Sequence, residues 1–189
     1  WILTLNTEAR KASLPPVGKI ATAGHIKGNL YLTASYTDKG GAGGIQPLTA
    51  KKTVTLRNNA LLVGNLKNIQ GMNNIDTVGG RFLLFPGNEG SFSLGKIDLV
   101  GISGLELSGV NVNYNGSGFN VEIRQDSKDG ALLGKAVLSA KPGSKNFTLS
   151  IPMQGAVADN EKHDLFVVSK NNGSQAGSLR LSGVKVMGK

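Results

Sequence analysis

Apolar and polar residues alternate along GSGFNVEIRQDSKDGALLGKAVLSA, Gly116 to Ala140. The alternation stops at Asp-Ser-Lys-Asp-Gly and then resumes. A period of two puts the apolar side chains on one face of a strand, and Asp-Gly is a hairpin turn signal, so the stretch predicts a β-hairpin. The same pattern recurs and predicts strands at 60–66, 81–85, 90–94, 105–113, 118–125, 132–139, 146–152, 163–169 and 178–187. Pro86-Gly87-Asn88, Asp129-Gly130, Pro142-Gly143 and Asn172-Gly173 punctuate them. No segment between them has a convincing 3.6-residue period. Many short, evenly spaced strands predict an all-β fold, a β-sandwich of the jelly-roll kind.

The N-terminal third reads differently. NLYLTASYT, 29–37, alternates Leu30, Leu32, Ala34 and Tyr36 against Tyr31, Thr33 and Ser35. KKTVTLRN, 51–58, predicts another strand, and DKGGAGGIQPL between them is a long flexible loop. Residues 17–58 thus read as a small β extension of about three strands, too small to stand alone. WILTLNTEARK is the one plausible helical end, with Trp1, Ile2 and Leu5 on one face, and Pro15 and Pro16 forbid its continuation. The expected layout is the tail of a preceding domain and a linker at 1–16, a spacer at 17–58 and a sandwich at 59–189. The start at Trp1 rather than Met suggests a processed fragment from which any signal peptide has gone.

Composition narrows this picture. Aromatic residues are only 5% of the chain, so Leu, Val and Ile must form most of the core. The 27 glycines suit many tight turns. Cysteine is absent, which excludes disulfides and thiolate metal sites without fixing a compartment. No apolar run approaches the roughly 18 residues of a membrane span. The net charge of +9 is a candidate footprint for nucleic acid, an anionic glycan or an anionic membrane surface. The lysines are scattered singly, however, with no interleaved aromatics to stack on bases, which argues against nucleic acid.

Catalysis finds no constellation. There is no Cys nucleophile, HExxH, GxSxG or phosphate loop. His25 and His163 are far apart, each without a clear partner, and nothing suggests a raised pKa or a groove for Glu89 and Glu106 as a glycosidase pair. Asp126, Lys128 and Asp129 are better read as turn chemistry than as an ion site. Tyr114 either stacks on a ligand or caps the core, and the polar loop of Asn171, Asn172, Ser174 and Gln175 is either solvated or a contact surface.

Four stretches in order, GKIDLVGISGLELSGVNV, FNVEIRQDSKDGALLGKAVL, KHDLFVVSKNNG and SLRLSGVKV, resemble the family 6 carbohydrate-binding modules over about residues 59–188. WILTL resembles the end of a c-type cytochrome domain, and LYLTASYTDKGGAGGIQPLT the spacer that follows one in exported proteins of Bacteroidetes-type bacteria. The resemblance implies a jelly-roll sandwich that holds a sugar ring in a cleft at its edge. Where that family has an aromatic platform, this chain has Ser91; a Trp-bearing segment is replaced by PGSKNF, whose Phe147 alternates with Leu149 and Ile151 as a core residue would. The family's structural calcium takes carboxylates from an Ala-Glu motif and a terminal Asp, and those positions hold Gly64 and Ser182 here. No metal or other cofactor is therefore expected.

The resemblance implies a non-catalytic accessory module, outside the cytoplasm, at the cell surface or in the periplasm. Its implied carbohydrate contacts are Asn88, Glu89 and Ser91 on one side of the cleft and Lys145, Asn172 and Arg180 on the other, with Tyr114 beside them. Lys145 and Arg180 in place of aromatic or amide side chains favour an acidic polysaccharide, since cations pair with uronate carboxylates. The alternative is a structural or docking sandwich that has lost sugar binding and packs against an upstream domain or a partner protein.

Overall fold

A computed structural model describes residues 29–41, 43–44, 46–112, 118–139, 144–154, 161–174 and 178–188, without the side chains of 29–32 and 54–57. The helical end and linker expected at 1–16, His25, Tyr114, Pro142-Gly143 and Gln175 lie outside the described residues.

Two compact units divide at Asn58 and Asn59. In the first, β1 (Asn29–Thr37) pairs antiparallel with β2 (Thr49–Arg57), Asn29 opposite Arg57 and Thr37 opposite Thr49. Cross-strand hydroxyls meet at Thr33 and Thr53 (2.9 Å) and at Thr37 and Thr49 (2.8 Å). The described residues of this unit hold two strands; residues 17–28, which the expected small unit of about three strands also includes, lie outside the described residues.

The second unit is a two-layer sandwich. Its strands are β3 (Ala60–Leu62), β4 (Lys67–Gln70), β5 (Asn73–Thr77), β6 (Gly80–Leu84), β7 (Glu89–Asp98), β8 (Ile102–Asn111), β9 (Phe119–Gln125), β10 (Leu132–Leu138), β11 (Asn146–Pro152), β12 (Lys162–Asn171) and β13 (Leu179–Gly188). One sheet runs β10-β9-β12-β7-β4; the other runs β11-β8-β13-β6-β5, with β3 also paired to β13. Among the described residues no helix is long and apolar enough to cross a membrane.

The alternation read from the sequence is what separates core from surface. Phe119, Val121 and Ile123 of β9, Leu165 and Val167 of β12, and Phe92 and Leu94 of β7 all enter the core between the sheets. Their neighbours Asn120, Glu122, Arg124, Phe166, Val168, Lys170, Ser91 and Ser93 therefore face outward from the five-stranded sheet. Aromatic rings are few but clustered. Phe85 lies 5.0 Å from Phe119, tilted by 54°, and 6.0 Å edge-on from Phe147.

The strand expected at 60–66 is broken. After Leu62 the chain makes a 3-10 turn, Val63–Asn65, and re-enters as β4 in the opposite sheet. Val63 and Leu66, three apart, are both buried, which one turn of 3-10 helix permits and a continuous strand does not. β5 was not expected at all. It reads NNIDT, with only Ile75 half-buried, and is held by its hairpin with β6 and by the Arg81–Asp76 pair at 2.7 Å.

Candidate functional site

Three turns meet at one end of the sandwich, and the Asn171 amide joins two of them. Its Nδ2 donates to the carbonyls of Gly87 (2.8 Å), Pro86 (3.3 Å) and Ser174 (2.7 Å), while its Oδ1 accepts from the Ser174 amide at 2.6 Å. The backbone amide of Asn171 donates to the Asn88 carbonyl at 2.7 Å. The third turn is tied by Ser174, whose buried hydroxyl accepts from the Gly118 amide at 2.9 Å and donates to its carbonyl at 3.1 Å. These bonds leave Asn88, Glu89 and Asn172 exposed together.

From that end a polar strip runs onto the outer face of the five-stranded sheet. The Asn120 amide donates to the Asn172 side-chain oxygen at 3.0 Å. Across the strands, Val137, Asn120, Lys170 and Glu89 stand in one row, and Lys135, Glu122, Val168 and Ser91 in the next. Asn120, Glu122, Lys135, Val137 and Lys170 line a depression of about 440 Å³. Val168 is only 1% exposed yet stands apart from the core cluster, so it is buried on this outer face as the floor of the strip. Arg124 grips one oxygen of Glu122 through Nε (2.8 Å) and Nη2 (2.7 Å), and its Nη1 donates to the Gly130 carbonyl at 2.8 Å. That bond draws the 126–130 turn toward the face. The Lys128 hydrogen bond, and to a smaller degree the charges of Arg124 and Lys170, hold the Asp129 carboxyl below its usual range.

The same turn is locked from behind. Asp126, in the left-handed region at φ 63°, accepts from the Asp164 amide at 3.2 Å and pairs with His163 Nδ1 at 3.0 Å; Gln125 Nε2 lies 2.8 Å from that same ring nitrogen. His163, expected to lack a clear partner, therefore pairs here with Asp126, because β12 lies beside β9. The His163 hydrogen bond chiefly holds the Asp126 carboxyl below the ordinary carboxylate value; partial burial opposes it and the Asp164 amide adds to it. A group with a lowered folded pKa stabilises the fold above its unfolded pKa, near 3.9, and loses that contribution as pH falls through the folded value. The melting temperatures of the parent and of Asp126→Asn are thus expected to differ at about pH 6 and to converge only as pH falls from about 4 through the lowered folded value. A gap independent of pH would refute this role.

The seven residues expected to contact carbohydrate do not share one place. Asn88, Glu89 and Asn172 come together at the turn end. Lys145 is exposed at the same end of the other sheet, where its carbonyl accepts from the Asn111 amide at 2.9 Å. Ser91 is 2% exposed on the outer face beside Val168. Arg180 stands between Leu84 and Val110 on the outer face of the opposite sheet, with a buried Nε. Tyr114 lies outside the described residues. Asn120, Glu122, Lys135 and Lys170 escaped the sequence reading. Their signal was present in the alternation of FNVEIRQ, LLGKAVL and KHDLFVVSKN, but only the strand order brings them together.

Calcium, the metal implied by the family resemblance, does not fit the residues present. No atom comes within 4 Å of where a Cβ on Gly64 would stand, and the Ser182 hydroxyl donates to the Ser108 carbonyl at 3.0 Å. Asp76 is paired with Arg81, and Asp164 accepts from the Ser93 hydroxyl. Calcium needs several hard oxygens, normally including carboxylates, and among the described residues no group of three acids, histidines or cysteines is placed to hold a metal. The first and last strands of the sandwich instead pair through Leu62 and Gly183, bury Val63 and Val184, and add a bond from the Asn59 amide to the Val186 carbonyl at 3.2 Å. Neither millimolar calcium nor a chelator is expected to move the melting temperature. A filled site at a hundredfold excess over its dissociation constant would contribute about 3 kcal/mol, a shift of several degrees that calorimetry reads easily.

No protein-family model matches this chain, and no curated protein is similar to it in sequence. Solved structures are similar in fold. A family 6 carbohydrate-binding module from Clostridium cellulolyticum, in complex with xylose, is 20% identical with a TM-score of 0.57, covering 69% of this chain and 97% of its own. A β-1,3-glucan binding module of family 6 from Bacillus halodurans is 15% identical at a TM-score of 0.51, over 68% of this chain and 95% of its own. A family 43 arabinoxylan arabinofuranohydrolase from Bacillus subtilis is 16% identical at 0.57 and matches over 72% of this chain but only 29% of its own. The chain therefore carries a β-sandwich similar to that of family 6 carbohydrate-binding modules.

Proposed function

We propose that this chain is a non-catalytic accessory module that binds a glycan, and that it belongs to an exported multidomain protein acting outside the cytoplasm. Residues 59–189 form the binding sandwich, 17–58 a spacer, and 1–16 a linker and the tail of an upstream domain, of the c-type cytochrome kind whose end WILTL resembles. The observation that carries the reading is the polar strip on a sandwich of this fold. Exposed Asn88, Glu89 and Asn172 continue through Asn120 into a depression of about 440 Å³, and Lys145 stands at the same end. Amides and charged groups over a shallow floor suit the hydroxyls of an extended sugar chain, and the contacts are reversible hydrogen bonds rather than bond making.

Affinity electrophoresis of the chain in gels containing neutral or acidic polysaccharides tests the reading. Retardation by at least one of them is expected, and migration unchanged in all of them would sink it.

A docking sandwich that has lost sugar binding is the second reading. It is favoured by Phe147, which stands where the family resemblance calls for a sugar platform but is 6% exposed and packed edge-on to Phe85.

A further inference from the structure

Around the depression on the outer face of the five-stranded sheet, two cations are closely paired. Arg124 is held by Glu122 at 2.7 Å and Lys128 by Asp129 at 2.8 Å. The two lysines at the depression, Lys135 and Lys170, are matched less well. Lys135 stands opposite Glu122 in register, but Arg124 already engages that carboxylate, and among the described residues no acid pairs with Lys135. Lys170 reaches Glu89 only at 3.8 Å, with both side chains 47% exposed. Both lysines line the same depression. By ordinary strand spacing their Cα atoms lie about 12 Å apart, two strands across and two residues along, so their flexible stems can converge on one group.

We propose that this depression binds an acidic glycan, with one anionic substituent, a carboxylate or a sulfate ester, seated between Lys135 and Lys170. The proposal rests on the glycan-binding reading and adds the charge class of the ligand. Each lysine would donate a charge-assisted hydrogen bond to the anion. Asn120 between them offers its amide to a neighbouring hydroxyl, and Val137, 56% exposed beside Ala136, offers an apolar surface to the C–H face of a ring. The three carboxylates set the density of charge the site accepts. Glu89, Glu122 and Asp129 are spaced among the cations, so an isolated anion between the lysines is stabilised while a ligand charged at every unit meets repulsion. Nucleic acid, with a charge on each phosphate, is therefore disfavoured.

The test compares the whole chain with two double variants by affinity electrophoresis and titration against glucuronoxylan, whose uronates are spaced along a neutral backbone, a sparsely sulfated galactan, neutral arabinoxylan and single-stranded DNA. Lys135→Glu/Lys170→Glu reverses the site. Lys162→Glu/Lys185→Glu makes the same change in net charge, with Lys162 at the opposite end of β12 and Lys185 on β13 in the other sheet. Circular dichroism and melting establish that each variant is folded, and Lys135→Gln/Lys170→Gln serves if the reversal is not. The expected result is binding to one of the two acidic polysaccharides, weakened roughly a hundredfold by reversal at the site, about tenfold per lysine, and less than about threefold by the control pair. Preference between the carboxylated and the sulfated polymer identifies the substituent. Equal losses in both double variants, or tighter binding of DNA than of either polysaccharide, would reduce the effect to overall charge and overturn the proposal. Binding of arabinoxylan alone would overturn it while leaving the glycan-binding reading intact, whereas silence with all three polysaccharides removes both.

Discussion

Phe119→Ala is expected to lower the stability of the sandwich by about 3–5 kcal/mol. Phe119 opens β9, is 0% exposed, and its ring centroid lies 5.0 Å from that of Phe85, which in turn packs on Phe147. With so few aromatics in the chain, these three rings are a large part of the bulk at this end of the core. Truncation removes the buried area and leaves a cavity among rigid strands that cannot collapse to fill it. For a domain of this size the melting temperature should fall by roughly 10 °C or more. Phe119 also lies opposite Asn171, the residue that joins two of the surface turns, so the proposed glycan binding should weaken together with stability. Phe119→Leu, which restores most of the volume, should recover most of both. Denaturant titration of the three proteins decides the matter, and a loss below about 1 kcal/mol for the alanine variant would mean the core relaxes around the gap.

Gly109→Ala is expected to cost about 3 kcal/mol or more, an unusually large effect for one added methyl. Gly109 lies opposite Phe147 across β8 and β11. A Cβ there would come within 2.6 Å of the Phe147 ring and 2.1 Å of the Arg180 carbonyl. The glycine is the hollow that admits the phenyl ring, so the position where the family resemblance calls for a sugar platform is drawn into the core. Part of the clash is with a side chain and part with backbone. Phe147→Leu in the Gly109→Ala background should therefore recover some stability, less than all of it, with a double-mutant coupling of about 1 kcal/mol or more. Strict additivity would show that the ring does not occupy this hollow.

The alternation of apolar residues placed most strands before any pairing was known. β11 falls on the expected residues 146–152, and β9, β10 and β13 lie within one or two residues of theirs. β7 was read as half its length because Gly95 interrupts the pattern. The strand passes through that glycine at φ 81° by means of a bulge against β12 and continues to Asp98. β5 was missed because an edge strand that buries almost nothing has no apolar period, and its conformation comes from a partner rather than from its own side chains.

The site was less legible than the fold. Asn88, Glu89 and Asn172 were named through the family resemblance, and they lie together because turn residues mark the ends of strands, which gather at the rim of a sandwich. Lys135, Glu122 and Lys170 are ordinary solvent-facing residues of three strands, and nothing local distinguishes them from Lys162 or Lys185. The periodicity of two is a property of each segment, because it reflects the steric preference of successive side chains for opposite faces of a pleated strand. That much needs only the chain. The order β10-β9-β12-β7 depends on which backbone edges find each other across long stretches of sequence. The burial of Phe147 was legible in that period, but tertiary pairing alone seated it against Gly109, gave His163 its partner in Asp126, and set two lysines on either side of one depression.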